Sequence, residues 1–195
     1  MRLFVAIALP EDLRARLTGL QQGVPAARWA DPDNLHLTLR FIGEADGAQA
    51  QDLDAALTQV RAARFDVTLA GVDRFGQGRK SRALWVGVEP APELDRLRRK
   101  VEQAVQAAGF APEGRKFKPH VTLARFKGDP GHRLDDHLAH HTAFRAECFE
   151  VREFVLYSSL LAQAGAIHTP EVVYPLSPPT RELVENATNT RKLKN

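Results

Sequence analysis

The sequence of 195 residues contains a single cysteine, Cys148, and no long apolar run. One cysteine excludes an internal disulfide and any metal site built from several thiolates, and it favours a reducing, cytoplasmic setting. No segment approaches the roughly 20 apolar residues of a membrane-spanning helix. The N-terminal stretch MRLFVAIALPEDL is short and lacks both a basic start and a small-residue cleavage site, so it is not expected to be a signal peptide.

A strong excess of charge of one sign is also absent. The 27 basic and 24 acidic residues give a formal net charge of +3, of which residues 177–195 alone contribute +2. The rest of the chain is almost neutral, which does not favour a surface that coats a long polyanion. Basic residues are concentrated locally, in residues 74–82 and 112–127. These segments are either solvated loops or sites for a single anion such as a phosphate.

The hydrophobic pattern predicts strands and helices that are interspersed along the chain. Strands are predicted at residues 2–9, 35–42, 65–72, 82–89, 120–126, 144–159 (as one strand or two) and 165–176. Helices are predicted at residues 11–22, 47–63, 92–108 and 135–141. No Gly-rich dinucleotide-binding loop follows the first strand. We expect one domain over residues 1–176, followed by a polar tail at 177–195.

Two short segments repeat one pattern. LHLTLRF at residues 35–41 and PHVTLARF at residues 119–126 both contain His–apolar–Thr–Leu, and their histidines, His36 and His120, are 84 residues apart. A neutral imidazole can take a proton from water, and a protonated one can give a proton to a leaving oxygen. A single copy would be typical of a polar strand edge, whereas two copies in similar contexts favour a paired acid–base site that needs no metal.

The first copy places its polar side chains on one face of a strand. Because alternate residues of a strand share a face, His36, Thr38 and Arg40 are predicted to lie together, with apolar residues on the other face. A threonine hydroxyl can hold a phosphoryl oxygen, and an arginine can balance negative charge on a phosphate.

The second copy follows the same alternation with one exception. His120 and Thr122 share a face, but Arg125 has the wrong parity for that face unless the strand ends or bulges after Leu123. Lys118 precedes this strand and is either a solvated loop residue or a contact for an RNA phosphate.

These motifs resemble those of the two-histidine (2H) phosphoesterase superfamily, in particular its RNA 2′,3′-cyclic phosphodiesterases, also called 2′-5′ RNA ligases. The resemblance covers residues 2–176 and includes RLFVAIALP at the start, FKPHVTLAR at 117–125 and LYSSLL at 156–161. It implies a bilobal α/β (α+β) fold. Two antiparallel sheets, related by pseudo-twofold symmetry, would face a central cleft, with the helices outside and one His-x-Thr motif in each lobe.

The resemblance also implies a reaction without a cofactor or a metal, the hydrolysis of a 2′,3′-cyclic phosphate at an RNA end to a 2′-phosphate. His120 would activate the attacking water, and His36 would protonate the departing 3′ oxygen. Thr38 and Thr122 would bind the non-bridging oxygens, and Arg125 would assist at the phosphate. The reverse reaction, 2′-5′ ligation, uses the same groups. We expect a monomer that acts on RNA 3′ ends, such as those of tRNA fragments, and that does not bind membranes.

Several alternatives remain open at this level. The substrate could instead be a small cyclic nucleotide or an ADP-ribose cyclic phosphate, or the protein could bind RNA ends with weak turnover. Arg40 and Lys118 are candidate substrate contacts, and Phe4 could stack on a base, although core packing is the favoured explanation for Phe4. His137 and His141 have the i, i+4 spacing of metal ligands on a helix, but the His-Glu-x-x-His pattern is absent, which favours a solvated helix.

Overall fold

The computed structural model describes residues 1–162 and 165–178. Within them, strands and helices are interspersed as predicted. The strands are β1 (Arg2–Ala8), β2 (Ala27–Trp29), β3 (His36–Glu44), β4 (Phe65–Val67), β5 (Leu69–Phe75), β6 (Ala83–Val88), β7 (His120–Phe126), β8 (Phe149–Val151), β9 (Glu153–Ala162) and β10 (Gly165–Pro175). The α-helices are α1 (Glu11–Thr18), α2 (Gly47–Thr58), α3 (Pro92–Ala107) and α4 (His132–His141). None of these helices combines the length and the apolar character needed to cross a membrane.

Local sequence explains where the helices form. Helix α2 begins at a capping box, in which the Asp46 side chain accepts a hydrogen bond from the Gln49 amide while the Gln49 side chain accepts one from the Asp46 amide. Helix α3 begins with Pro92 and has acidic residues in its first turn. Its apolar side chains recur at helical spacing and are buried in the core: Leu94, Leu97, Val101 and Val105.

The strands form two antiparallel groups that meet at the repeated motif. One group has the order β10-β9-β1-β3, and the other has the order β7-β6-β5; β2 pairs with the end of β7, on the same edge as β3. The groups are joined by a single residue pair, Leu37 opposite Val121, so that hydrogen bonding makes them one eight-stranded sheet. A separate two-stranded sheet consists of β4 and β8. The predicted fold class, an α/β fold with two antiparallel strand groups, is confirmed.

Several predicted boundaries were wrong. Strand β2 was missed because three residues are too short to show an alternating pattern. The predicted helix at 47–63 ends at Thr58, and the residues that follow it pair with the C-terminal segment instead. The predicted strand at 65–72 is two strands, β4 and β5.

The C-terminal segment stays attached to the domain slightly beyond residue 176. The Ser177 amide donates to the Ala62 carbonyl (3.0 Å), and the Ser177 carbonyl accepts from the Arg64 amide (2.9 Å). Residues 179–195 of the predicted tail lie outside the described residues.

Candidate functional site

The two His-x-Thr strands lie side by side at the centre of the sheet. Leu37 and Val121, which follow the two histidines, are directly opposite each other, and both are fully buried. Neighbouring residues of a strand point to opposite faces, so the flanking side chains all lie on the other face of the sheet. We call this the histidine face; it is defined by His36, Thr38, His120 and Thr122.

Each imidazole is held by a hydrogen bond of the same kind, to the backbone carbonyl two residues before it. Nδ1 of His36 lies 2.7 Å from the Asn34 carbonyl, and Nδ1 of His120 lies 2.7 Å from the Lys118 carbonyl. Because a carbonyl only accepts, Nδ1–H is the donor in each case. The hydrogen bond fixes the tautomer of each ring and leaves Nε2 as the nitrogen that can accept or give a proton.

The His36 ring is surrounded by other rings. The ring centroids of Phe4, His168 and Tyr157 lie 4.8, 5.4 and 6.2 Å from that of His36. The Phe4 ring is only 3% exposed, and it stacks on Tyr157 with an angle of 11° between the planes. The prediction that Phe4 binds a base is therefore wrong, because its ring is covered by His36 and Tyr157. Phe4 instead holds the His36 ring in place.

His120 occupies a corresponding but more open aromatic setting. Its ring centroid lies 4.9 Å from Phe75 and 5.9 Å from Trp85. The ammonium of Lys118 sits 4.1 Å from the Trp85 ring centroid and 3.7 Å from an Asp73 carboxylate oxygen. Lys118 is therefore next to His120, as its position in the sequence indicates, and its ammonium is engaged by a ring and a carboxylate.

The environment lowers the pKa of both histidines. The pKa of His36 is lowered to about 4, mainly by burial; the hydrogen bond to Asn34 opposes this shift, and the positive charges of His168, His120 and Arg125 add to it. Burial is also the main cause that lowers the pKa of His120, with Arg125 contributing in the same direction. The charge of Arg125 therefore reaches both rings, which lie close enough to interact.

A bulge brings Arg125 onto the histidine face. Along β7, Thr122 is opposite Trp85, but Arg125 is opposite Ala83, so β7 contains one extra residue between these pairs. Trp85 and Ala83 share a face of β6, hence Thr122 and Arg125 share a face as well. The sequence allowed Arg125 at the site only if the strand bulged after Leu123, and the structure has that bulge.

A corresponding bulge in β3 places Arg40 on the opposite face of the sheet from the histidines. Thr38 is opposite Ala6, but Arg40 is opposite Val5 on the other face of β1. The Arg40 side chain is 8% exposed and pairs with Glu102 of α3, at 2.7 Å from Nε to Oε2. The prediction that Arg40 shares a face with His36 and contacts the substrate is wrong, because the bulge turns this side chain toward the helix.

Three ring-bearing residues of the site were not assigned to it from the sequence. His168, Tyr157 and Phe75 lie far from the two motifs along the chain, and β9, β10 and β5 bring them to the histidines. Of these residues, only Tyr157 and His168 could have been placed from the alternation of side chains along β9 and β10. This alternation puts both side chains on the same face of the sheet as Phe4. That signal becomes useful only once the strand order is known.

The histidine-rich helix α4 is separate from this site. His137 is 9% exposed and packs against Trp29 and His141, with ring centroids 6.4 and 4.5 Å apart. Among residues 1–162 and 165–178, no group of three or more His, Cys, Asp or Glu side chains is placed to hold a metal ion. His137 is thus partly a core residue, rather than one on a fully solvated helix.

Comparisons with known proteins found similar sequences and structures. Residues 9–162 match the family model of the 2′-5′ RNA ligase superfamily. The chain is 30% identical over 171 residues to an RNA 2′,3′-cyclic phosphodiesterase of Archaeoglobus fulgidus, which covers 86% of this chain and 96% of that protein. A protein of the same name from Aeropyrum pernix is 43% identical over 107 residues, which are 54% of this chain and 60% of the relative. The crystal structure of E. coli LigT complexed with 3′-AMP is similar at a TM-score of 0.74 and 30% identity, over 90% of this chain and 97% of that one.

Proposed function

Because the chain belongs to the 2′-5′ RNA ligase superfamily, we propose that it hydrolyses 2′,3′-cyclic phosphates at RNA 3′ ends to 2′-phosphomonoesters. The observation that carries the proposal is the pair of imidazoles on one sheet face, each with Nδ1 bound to a carbonyl, so that Nε2 is the nitrogen available for proton transfer. The names of the relatives and the 3′-AMP bound by E. coli LigT support a substrate of this class. The proposal includes a monomer that acts in the cytoplasm, on ends such as those of tRNA fragments.

The base of the reaction must be neutral before the chemistry begins. Nε2 of His120 takes a proton from a water molecule, and the resulting hydroxide attacks phosphorus opposite the 3′ oxygen. The lowered pKa of His120 keeps its imidazole neutral at pH 7, which suits this role.

The acid of the reaction must be protonated when the P–O3′ bond breaks. Nε2 of His36 gives its proton to the departing 3′ oxygen, which leaves the phosphate on the 2′ oxygen. In the free protein the pKa of His36 is about 4, and the negative charge of a bound phosphate raises it because that charge stabilises the imidazolium. The buried setting also makes protonated His36 a stronger acid than an exposed histidine.

The remaining residues stabilise the charge on phosphorus. The hydroxyls of Thr38 and Thr122 donate to the two non-bridging oxygens, and the guanidinium of Arg125 balances the added negative charge in the transition state. The same groups in reverse would join a cyclic phosphate end to a 5′-hydroxyl through a 2′-5′ bond. Lys118 is an additional candidate contact for the RNA backbone.

The direct test is incubation with an oligonucleotide that ends in a 2′,3′-cyclic phosphate, in the presence of EDTA. We expect a 2′-phosphomonoester, identified by phosphorus NMR of the product. Absence of turnover would contradict the proposed function, a 3′-phosphate would contradict the assignment of the leaving group, and a requirement for added metal would favour a metallohydrolase. A small cyclic nucleotide and ADP-ribose cyclic phosphate, assayed in parallel, test the alternative substrates.

Substitution of either histidine tests the mechanism. We expect His36→Ala and His120→Ala each to lower kcat by about 10²- to 10⁴-fold, because each removes a proton-transfer group, while binding of the oligonucleotide is largely retained. His140→Ala, an exposed histidine of α4, is the matched control and should keep the wild-type rate. A cyclic substrate with sulfur in place of the 3′ oxygen needs no acid, so it should restore turnover to His36→Ala and not to His120→Ala.

A further inference from the structure

Arg28 lies on the histidine face although it belongs to neither motif. Strand β2 pairs with β7 in the register Arg28 opposite Arg125. Residues directly opposite each other in an antiparallel pair point to the same face. Because the bulge of β7 places Arg125 on the histidine face, Arg28 lies there too. The Arg28 side chain is exposed, whereas its neighbours Ala27 and Trp29 pack toward the core.

The pairing of two arginines is unfavourable unless something offsets it. Like charges directly opposite each other destabilise a sheet. Several other basic side chains have acidic partners: Arg74 pairs with Asp135, Arg79 with Asp129 and Lys118 with Asp73. Within residues 1–162 and 165–178, no ion pair includes Arg28 or Arg125. Two adjacent guanidinium groups without a carboxylate form a site for an anion from outside the chain.

Arg28 also reaches the other strand group. Its Nη2 lies 3.4 Å from the point that a Cβ would occupy on Gly165, the first residue of β10. The neighbouring Ala166 carbonyl accepts a hydrogen bond from the Asn34 side chain (2.7 Å), and the Asn34 carbonyl holds the His36 ring. Arg28 therefore lies between β7 and the start of β10, at the margin of the site that holds both histidines.

We propose that Arg28, beside Arg125, binds the phosphate on the 5′ side of the terminal nucleotide. This inference rests on the proposed function. In an RNA that ends in a 2′,3′-cyclic phosphate, every other phosphate lies on the 5′ side of the last ribose, so a second anion subsite contacts that side. A guanidinium suits a phosphodiester because its N–H groups form two parallel hydrogen bonds to phosphate oxygens. The subsite makes the enzyme selective for RNA ends over nucleoside cyclic phosphates that lack a 5′ phosphate.

The test uses two substrates that differ in one group, adenosine 2′,3′-cyclic phosphate with and without a 5′-phosphate. We expect the wild-type enzyme to favour the 5′-phosphorylated substrate in kcat/KM by about tenfold, the effect of one charged hydrogen-bonded contact. Arg28→Ala should abolish this preference, and Arg28→Lys should keep part of it because the charge remains without the paired N–H groups. Arg99→Ala, an exposed arginine on α3, should keep the full preference.

Salt provides a second readout that a purely structural role of Arg28 would not move. The wild-type preference should weaken as salt rises, and the preference of Arg28→Ala should not depend on salt. A wild-type preference that survives in Arg28→Ala, or a loss of kcat/KM that is equal for both substrates, would overturn the subsite. If neither substrate is turned over, the proposed function fails, and the subsite is then decided by binding of adenosine 2′-phosphate with and without a 5′-phosphate to the wild type and Arg28→Ala.

Discussion

Strands β3 and β7 are built alike from their histidines to their bulges and differ at the residues that follow. In each strand two consecutive residues are buried after the threonine, Leu39 and Arg40 in β3 and Leu123 and Ala124 in β7. Counted from the histidine, Arg40 corresponds to Ala124. Phe41, which is 47% exposed, corresponds to Arg125. The histidine face therefore receives a phenyl ring from one strand and a guanidinium from the other.

This difference makes a symmetrical scaffold chemically asymmetrical. Each histidine makes the same kind of hydrogen bond to a backbone carbonyl, but their surroundings differ. His36 is packed among the rings of Phe4, Tyr157 and His168. His120 adjoins the cations Lys118 and Arg125. A hydrolysis needs one neutral and one protonated imidazole, so identical settings would serve it poorly. The arginine of β7 stands one position further from its histidine than the arginine of β3. This difference puts Arg125 on the histidine face and turns Arg40 toward helix α3.

The largest effect is expected from substitution of Arg40, and it is an effect on stability. Arg40→Ala should lower the free energy of unfolding by about 3 kcal/mol, because it leaves the buried Glu102 carboxylate without its closest cation. Arg98, at 3.6 Å from Glu102, offsets part of the loss. Chemical denaturation measures the change. The double variant Arg40→Met with Glu102→Leu should recover much of it, since neither charge remains buried.

Activity distinguishes this effect from a role in substrate binding. Per folded molecule, Arg40→Ala should turn over the cyclic phosphate at the wild-type rate, as measured at a temperature where it is fully folded. A specific loss of kcat/KM with unchanged stability would mean that Arg40 acts at the substrate and that our account of the β3 bulge is incorrect.

The second expected effect is at Arg125, where we expect a loss of activity with little change in stability. Arg125→Ala should lower kcat/KM by about 100-fold, as is typical for the loss of one group that stabilises transition-state charge. Because the side chain is exposed and has no ion pair among the described residues, the free energy of unfolding should change by less than about 0.5 kcal/mol. Arg99→Ala is again the control. A large loss of stability with normal activity would reverse the roles assigned to the two arginines.

Arg40 and Arg125 also show which parts of the site could be predicted from the sequence. The alternation of apolar and polar residues placed His36 and Thr38 on one face and identified β3 and β7 correctly. The same alternation put Arg40 on the wrong face, because a bulge depends on partners distant in sequence, here Glu102 of α3 and the register with β1 and β6. Phe4 was ambiguous for a similar reason, since only the strand order shows that Tyr157 and His36 cover its ring.

Arg28 was not singled out because nothing local distinguishes it. It lies on a three-residue strand, between residues that pack toward the core, and its importance comes from the register with Arg125. The pairing of β2 with β7 spans almost 100 residues of sequence. Long-range pairings of this kind are set by the assembled sheet and not by the local pattern.

The smallest expected effect is a shift in the pH dependence of kcat/KM. In the wild type a bell-shaped profile is expected, and both limbs should lie below the ordinary histidine pKa of 6.5, because burial lowers the pKa of His36 and of His120. The positive charge of Arg125 disfavours the imidazolium form of both rings. Its removal in Arg125→Gln therefore raises both pKa values, and the residual activity should peak at a higher pH than in the wild type.

Two controls test the electrostatic origin of this shift. Added salt screens Arg125 in the wild type, so it should move the wild-type profile in the same direction and have less effect on the profile of Arg125→Gln. Titration of the histidine ring protons by NMR follows the same pKa values without relying on turnover. A wild-type profile that is flat between about pH 5 and pH 9 would contradict the two-histidine mechanism. If Arg125→Gln has its maximum at the same pH as the wild type, the guanidinium is too far from the rings to affect their protonation.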